Sequence, residues 1–280
     1  MKIHLFYTNN KKGGPGKVIK NLRSGLDLLG VTYSVNTPYD QINDEDKLFC
    51  LQENDILKTP LSKRCVVGPN ICVIPPENKA ISNGNYKKIV VPSEWIKKMW
   101  SPWVADNDMV VWPVGVDTEE FKPSDEEKTL DCILYYKNRD GQDLNKCESF
   151  LQDKDMKYVT IQYGTYNEED FKFYMRRCKF CFMLDNTESQ GLATLEILSS
   201  GLPIFVWETT TLINPHYPQI RCDATSVPYW DDRCGMKYFG GNQLQNKFNQ
   251  FLNDLNSYNP RQYVKENLDL MVQAQKLIEL

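Results

Sequence analysis

The sequence predicts an α/β protein built from two doubly wound halves. Short apolar runs alternate with amphipathic helical stretches along the whole chain. One polar, proline-containing stretch, from Pro113 and Gly115 through Pro123 to Glu127, interrupts that alternation and reads as a domain boundary. Phe180–Leu184, a loop, a helix over 191–200 and Ile204–Trp207 form a strand–loop–helix–strand unit, the right-handed βαβ arrangement of a parallel sheet.

In the first half, residues 2–8 alternate into a strand and a polar, glycine-rich loop over 9–16 follows. Val18, Leu22, Leu26 and Leu29 mark one face of a helix that ends at Gly30, and Val31–Val35 returns as a strand. Further short strands are expected at Leu48–Leu51, Cys65–Val67, Ile71–Val73 and Ile89–Val91. Ser93 is placed to cap a helix that carries Trp95 and Trp100. Trp100 and Trp103, beside Lys97 and Lys98, read as packing between domains, with a peripheral membrane contact as the alternative.

In the second half, strands are expected at Leu130–Tyr136 and Tyr158–Tyr163, with a helix carrying Lys146 between them. A helix striped by Phe171, Tyr174, Met175 and Cys178 leads into the 180–207 unit, where Gly201 and Pro203 stop the second helix. A strand near Ala224–Val227, an amphipathic helix over 244–255 and, after Pro260, a last helix to Leu280 complete the reading. The expected domains are residues 1–115, residues 116–262 and a terminal helix over 263–280.

Composition narrows the function. The chain has 280 residues and a net charge of −4, so no general attraction to nucleic acid is expected. No apolar run is long enough to span a bilayer. Nine scattered cysteines suit free thiols in a reducing, cytoplasmic setting, and Cys178-x-x-Cys181 falls across a predicted buried strand, where packing outweighs metal or redox work. The G-x-G-x-x-G dinucleotide fingerprint is absent, which disfavours an oxidoreductase.

The chemistry concentrates at the strand ends of the second half. Glu188 follows an apolar strand, and the helix beyond it offers unpaired N–H groups from about Gln190 to Ala193, a ready phosphate site. Ser189, Gln190, Gly191 and Leu192 are therefore candidate ligand contacts. Glu196 lies eight positions after Glu188, roughly 12 Å away in a continuous helix. Lys137, Arg139 and Lys146 follow the first strand of this half, and Gly164 follows the second. A departing diphosphate needs cations, from a metal or from Lys and Arg. With two histidines, His4 and His216, and no Asp-x-Asp ending a strand, side-chain cations are expected and no metal.

Glu188-Ser-Gln-Gly-Leu-Ala-Thr-Leu-Glu196, then Gly201-Leu-Pro-Ile204, resembles the retaining GT-B-fold glycosyltransferases with the E-x7-E signature. Pro113-Val-Gly-Val-Asp117, with Phe121 and Pro123, resembles the same family's inter-domain segment. The resemblance implies two Rossmann-like domains facing a cleft, with a C-terminal helix crossing back to the first. It implies that Glu188 contacts the sugar of a nucleotide diphosphate sugar and that Glu196 takes the ribose hydroxyls. By position it carries Arg139 and Lys146 over to the phosphates, with Asn138 where the family has glycine and the lysine displaced by a residue or two. The loop containing Gly14 resembles the one that lies against phosphates or acceptor. The implied activity is retaining, metal-independent hexosyl transfer to a glycan, lipid or small-molecule acceptor. The first half is short for that family, and residues 40–110 contain no histidine. A non-catalytic sugar-nucleotide-binding or partner subunit is therefore the alternative.

Overall fold

The computed structural model describes residues 2–8, 13–52, 54–70, 85–213 and 220–280. The strand expected at Ile71–Val73, residues 9–12 of the glycine-rich loop, and the stretch around His216 lie outside them. The chain divides into two compact units, residues 1–115 with 268–280, and residues 116–267.

The first unit contains β1 (Ile3–Phe6), α1 (Gly14–Leu28), β2 (Tyr33–Val35), β3 (Lys47–Gln52), β4 (Cys65–Asn70), β5 (Lys88–Val91), α2 (Glu94–Trp100) and β6 (Met109–Val111). The six strands pair in parallel in the order β2-β1-β3-β4-β5-β6. Strands covered on both faces read as continuous apolar runs, and β3 and β5 do so. Val18, Leu22 and Leu26 of α1 are buried, and Gly30 ends that helix region at φ +67°. The C-terminal helix Leu270–Ile278 lies on α1, where a Cβ on Gly25 would come within 2.5 Å of the Leu270 carbonyl oxygen. Trp112 Nε1 donates to the Gln273 carbonyl at 2.8 Å, tying the end of the sheet to that same helix. Trp100 is buried in this unit, whereas Trp103 is exposed.

The second unit contains β7 (Cys132–Lys137), α3 (Gly141–Asp153), β8 (Tyr158–Gln162), α4 (Glu168–Arg177), β9 (Phe180–Asp185), α5 (Leu192–Ser199), β10 (Ile204–Trp207), the hairpin β11 (Thr211–Ile213) and β12 (Arg221–Asp223), β13 (Gly235–Tyr238), α6 (Gly241–Asn253) and α7 (Pro260–Asn267). Its main sheet is parallel throughout, in the order β13-β10-β9-β7-β8. One face, through Leu134, Phe182 and Phe205, packs with Cys147 and Leu151 of α3 and with Phe248 and Phe251 of α6. The other face carries Tyr135, whose ring meets Phe171 of α4 at 5.9 Å, and Met183, which accepts from Thr194 Oγ1 of α5.

Several local expectations shift. The strand expected at 224–227 falls at Arg221–Asp223, and β13 was not anticipated. The single terminal helix is two: α7 stays in the second unit, and Asp269, accepting from Met271 N at 2.9 Å, caps a new helix. Among the described residues no helix is long and apolar enough to cross a membrane.

Candidate active site

The strand order of the second unit decides where its site lies. Chain connections run to opposite sides of β7 and β9, so a crevice opens between their carboxyl ends, the topological switch point. Lys137 ends β7 and Asp185 ends β9, and the two are register partners across that point. Glu188 stands three residues further along.

Lys137 Nζ donates to Glu188 Oε2 and lies 3.8 Å from Asp185 Oδ2. It also lies 4.7 Å from the ring centroid of Tyr163, the residue after β8. Burial works against the Lys137 ammonium, but the charges of Glu188 and Asp185 outweigh it and raise its pKa. Burial likewise opposes ionised Glu188. Lys137 and the backbone N–H groups of Gly191 and Gln190 win, holding that carboxyl below its ordinary range. Asp185 goes the other way: only 2% exposed, it is pushed by burial up to about 7, with Glu188 adding to the rise and Lys137 opposing it.

The Glu188 loop is held from several directions. Glu188 N donates to the Thr225 carbonyl at 2.9 Å, and Gln190 N donates to Glu188 Oε1 at 3.1 Å. Tyr229 OH donates to Gln190 Oε1 at 2.7 Å. Gly191 is the N-cap of α5 in the left-handed region, φ +62°, and a Cβ there would press on the Pro228 ring at 3.3 Å. The expected helix start therefore moves one residue, to Leu192, and the left-handed turn is what requires glycine. Ser189 lies half-buried in the same loop, and Leu192 opens the helix.

Arg139 is held by backbone carbonyls. Its Nη1 donates to the carbonyls of Asp185 (2.9 Å) and Trp207 (2.7 Å), and its guanidinium stacks 4.5 Å from the Trp207 ring. It therefore ties the ends of β9 and β10 together. Its Nε donates to Asp143, which also pairs with Lys146 at 3.3 Å. Lys146 is 63% exposed on the outer part of α3. Gly164 sits at φ +84° in the turn after β8, with open space where a side chain would be. Glu196 is only 4% exposed on α5, and its charge helps raise the pKa of Tyr166 on top of the larger effect of burial. Gly14 begins α1, in the other unit.

Two carboxylates that sequence reasoning passed over organise this region. One is Asp185. The other is Glu208, which accepts from Thr225 Oγ1 at 2.9 Å, Ser226 N at 2.6 Å and Thr209 N at 3.0 Å, and pairs with Lys237 at 2.5 Å. Glu208 thus fixes the segment whose Thr225 carbonyl receives Glu188 N. A common signal was present: an acidic residue directly ends an apolar run in Leu184-Asp185 and in Trp207-Glu208. Among the described residues, no three His, Cys, Asp or Glu are grouped to hold a metal ion. The Cys178 and Cys181 thiols are buried and free, and burial raises both pKa values.

The first unit holds a cavity of about 330 Å³ lined by Asp44, Lys47, Arg64 and Lys87 among others. It lies at the amino ends of β3 and β4, the wrong end of a parallel sheet for a ligand crevice. Lys47 and Lys87 donate there to the carbonyls of Ile278 and Leu280, so the cavity is a seam beside the C-terminal helix.

No protein-family model matches the chain, and no curated protein matches it in sequence. Solved structures do match in fold. Sucrose-phosphate synthase from Thermosynechococcus elongatus aligns over 99% of this chain and 97% of its own, with a TM-score of 0.57 at 13% identity. The lipopolysaccharide outer core galactosyltransferase WaaB aligns over 100% and 98%, with a TM-score of 0.55 at 12% identity. WaaG, a glycosyltransferase involved in lipopolysaccharide biosynthesis, aligns over 99% and 98%, with a TM-score of 0.52 at 12% identity. These likenesses define the class of fold: an α/β protein of the GT-B type, with parallel sheets.

Proposed function

We propose that the protein is a glycosyltransferase that moves a sugar from a nucleotide diphosphate sugar to an acceptor with retention of configuration and without a metal. The observation that carries this reading is the part-buried Lys137–Glu188 pair at the switch point of a GT-B-type unit. Glu188 orients the donor sugar, Lys137 neutralises the leaving diphosphate, and Glu196 takes the ribose hydroxyls. The α5 N-terminus, with Ser189, Gln190, Gly191 and Leu192, faces the phosphates, and the open turn at Gly164 admits the nucleoside. Arg139 braces the strand ends behind Lys137, and Lys146 meets the phosphates from solvent. The acceptor hydroxyl attacks the anomeric carbon on the face from which the phosphate leaves, and the departing phosphate oxygen takes its proton. The glycosidic C–O bond to phosphate breaks as the new one forms. The acceptor is a glycan, lipid or small molecule.

A non-catalytic reading has one observation in its favour. His4, the histidine among the described residues, is buried and bonded to Thr37, Ser34 and Asp46, which leaves it no catalytic duty. Incubation with UDP-glucose, GDP-mannose and ADP-glucose separates the two: slow donor hydrolysis or transfer supports the enzyme, and binding without turnover supports the partner subunit. Turnover is expected to survive EDTA. Complete loss that manganese or magnesium restores would overturn metal independence.

The two glutamates are expected to divide the work. Ribose hydroxyls keep their charge during transfer, so Glu196→Ala should raise KM by about one to two decades, the worth of lost hydrogen bonds to a charged acceptor. Glu188→Gln should lower kcat and leave affinity for the free nucleotide diphosphate near wild type. Calorimetry and initial rates decide it. Equal losses of affinity with unchanged kcat in both variants would end that division.

A further inference from the structure

We propose that Asp185 is the positioning residue of the donor site: it holds the Lys137 ammonium at the switch point and takes up a proton when a diphosphate draws that ammonium away. The inference rests on the reading that a nucleotide diphosphate sugar binds there.

The geometry distinguishes the two partners of Lys137. Asp185 is its register partner in the sheet, so their backbones are fixed side by side. Glu188 sits on a loop, outside the ladder. Lys137 can therefore exchange Glu188 for a ligand without disturbing β7 or β9, while Asp185 keeps its stem aimed at the crevice.

The charges make the same point. Lys137 and Tyr135 face Asp185 from β7, Arg139 from the segment after β7, and Glu188 from the loop after β9. Arg139 donates to the Asp185 backbone carbonyl, so its guanidinium is already engaged on the main chain. Asp185 and Glu188 share the Lys137 ammonium, and Arg139 is paired with Asp143, so the cluster carries an excess negative charge. A diphosphate brings two more into the same low-dielectric crevice, and the repulsion falls most cheaply by neutralising the carboxylate that burial already disfavours. That carboxylate is Asp185, whose titration lies near 7. A protonated Asp185 can still accept from the Lys137 ammonium, and leaves its charge to the phosphates. No covalent bond changes; one proton moves from solvent to the Asp185 carboxylate.

The test is proton uptake on binding, read by calorimetry at pH 8 in HEPES and in Tris, whose ionisation heats differ. The probes are UDP-glucose, GDP-mannose and ADP-glucose, whose phosphate charges do not change between pH 6 and 9. The wild type is expected to take up close to one proton per donor at pH 8, with Kd weakening by up to about tenfold per pH unit above 7.5 and flat below 6. Asp185→Asn should show no uptake and a flat profile, and Asp185→Glu should restore both. A purely structural aspartate would leave uptake in the wild type at zero. The wild-type measurement needs no variant, so a misfolded Asp185→Asn does not remove the test. Zero uptake in the wild type, or equal uptake in wild type and Asp185→Asn, overturns the role of Asp185 while the donor-site reading stands. No binding of any probe at millimolar concentration overturns the donor-site reading and this inference with it.

Discussion

Lys137→Met is expected to abolish transfer and to cost about 3–5 kcal/mol of stability at pH 8, the usual penalty for removing one partner of a buried ion pair. Methionine keeps the apolar stem, so the loss is electrostatic. Without the ammonium, Glu188 and Asp185 face each other in a buried crevice with nothing between them. Both carboxyls then titrate above their unfolded values. A carboxyl raised in the folded state is accommodated below its unfolded pKa and destabilises as pH rises through its folded one. The deficit should therefore be largest at pH 8 and shrink toward pH 5. Urea melts of the two proteins at both pH values test this. An equal deficit at pH 5 and pH 8 would show that the loss does not come from the Lys137 charge.

The second large effect is structural. Arg261 on α7 donates through Nη1 to the carbonyls of Thr118 (2.8 Å), Phe121 (3.1 Å) and Ser199 (2.9 Å). Ser199 closes α5, so its carbonyl is one that the helix itself leaves unpaired. Thr118 and Phe121 belong to the segment that enters the second unit. Arg261→Ala removes three charge-assisted hydrogen bonds, although the Phe121 carbonyl still accepts from Ser199 Oγ, and should cost about 3–4 kcal/mol, since hydrogen bonds from a charged group are worth more than neutral ones. At about 2–4 °C per kcal/mol the melting point should fall by about 6–16 °C. Turnover at 20 °C should stay near wild type, because Arg261 does not touch Lys137 or Glu188. Arg261→Lys should recover part of the loss, since the three carbonyls converge on one nitrogen and an ammonium carries three donors. A melting shift under 2 °C would show the bonds to be dispensable.

Much of the architecture was legible because buried parallel strands write themselves as apolar runs. Phe180–Leu184 and Ile204–Val206 are such runs, and both became central strands. β13 was not legible: Gly235-Met-Lys-Tyr238 is short and mixed, and its place is set by pairing with β10. The helical stripe past Pro260 continued through Leu268, which hid the break that Asp269 makes by capping a new helix. At the site, Glu188 and Lys137 could be picked out as chemistry at strand ends. Asp185 was passed over, because an acid after an apolar run looks like the point where a strand meets water. Its burial depends on register with Lys137 across the sheet, which the local sequence does not encode. The bonds of Arg139 were hidden for the same reason: which carbonyls lie within its reach is a property of β9 and β10, far along the chain.

The helix Leu270–Ile278 completes the first unit from the far end of the chain. The second unit is thus threaded through an interruption in the first. Until that helix is in place, α1 lacks the surface that meets Gly25, and Trp112 Nε1 lacks the Gln273 carbonyl. Residue order therefore does not set folding order here: the earlier unit cannot close without a helix that follows the later one. A chain cut before Leu270 would keep every residue of the second unit and leave the first without this helix, with the apolar side of α1 offered to chaperones.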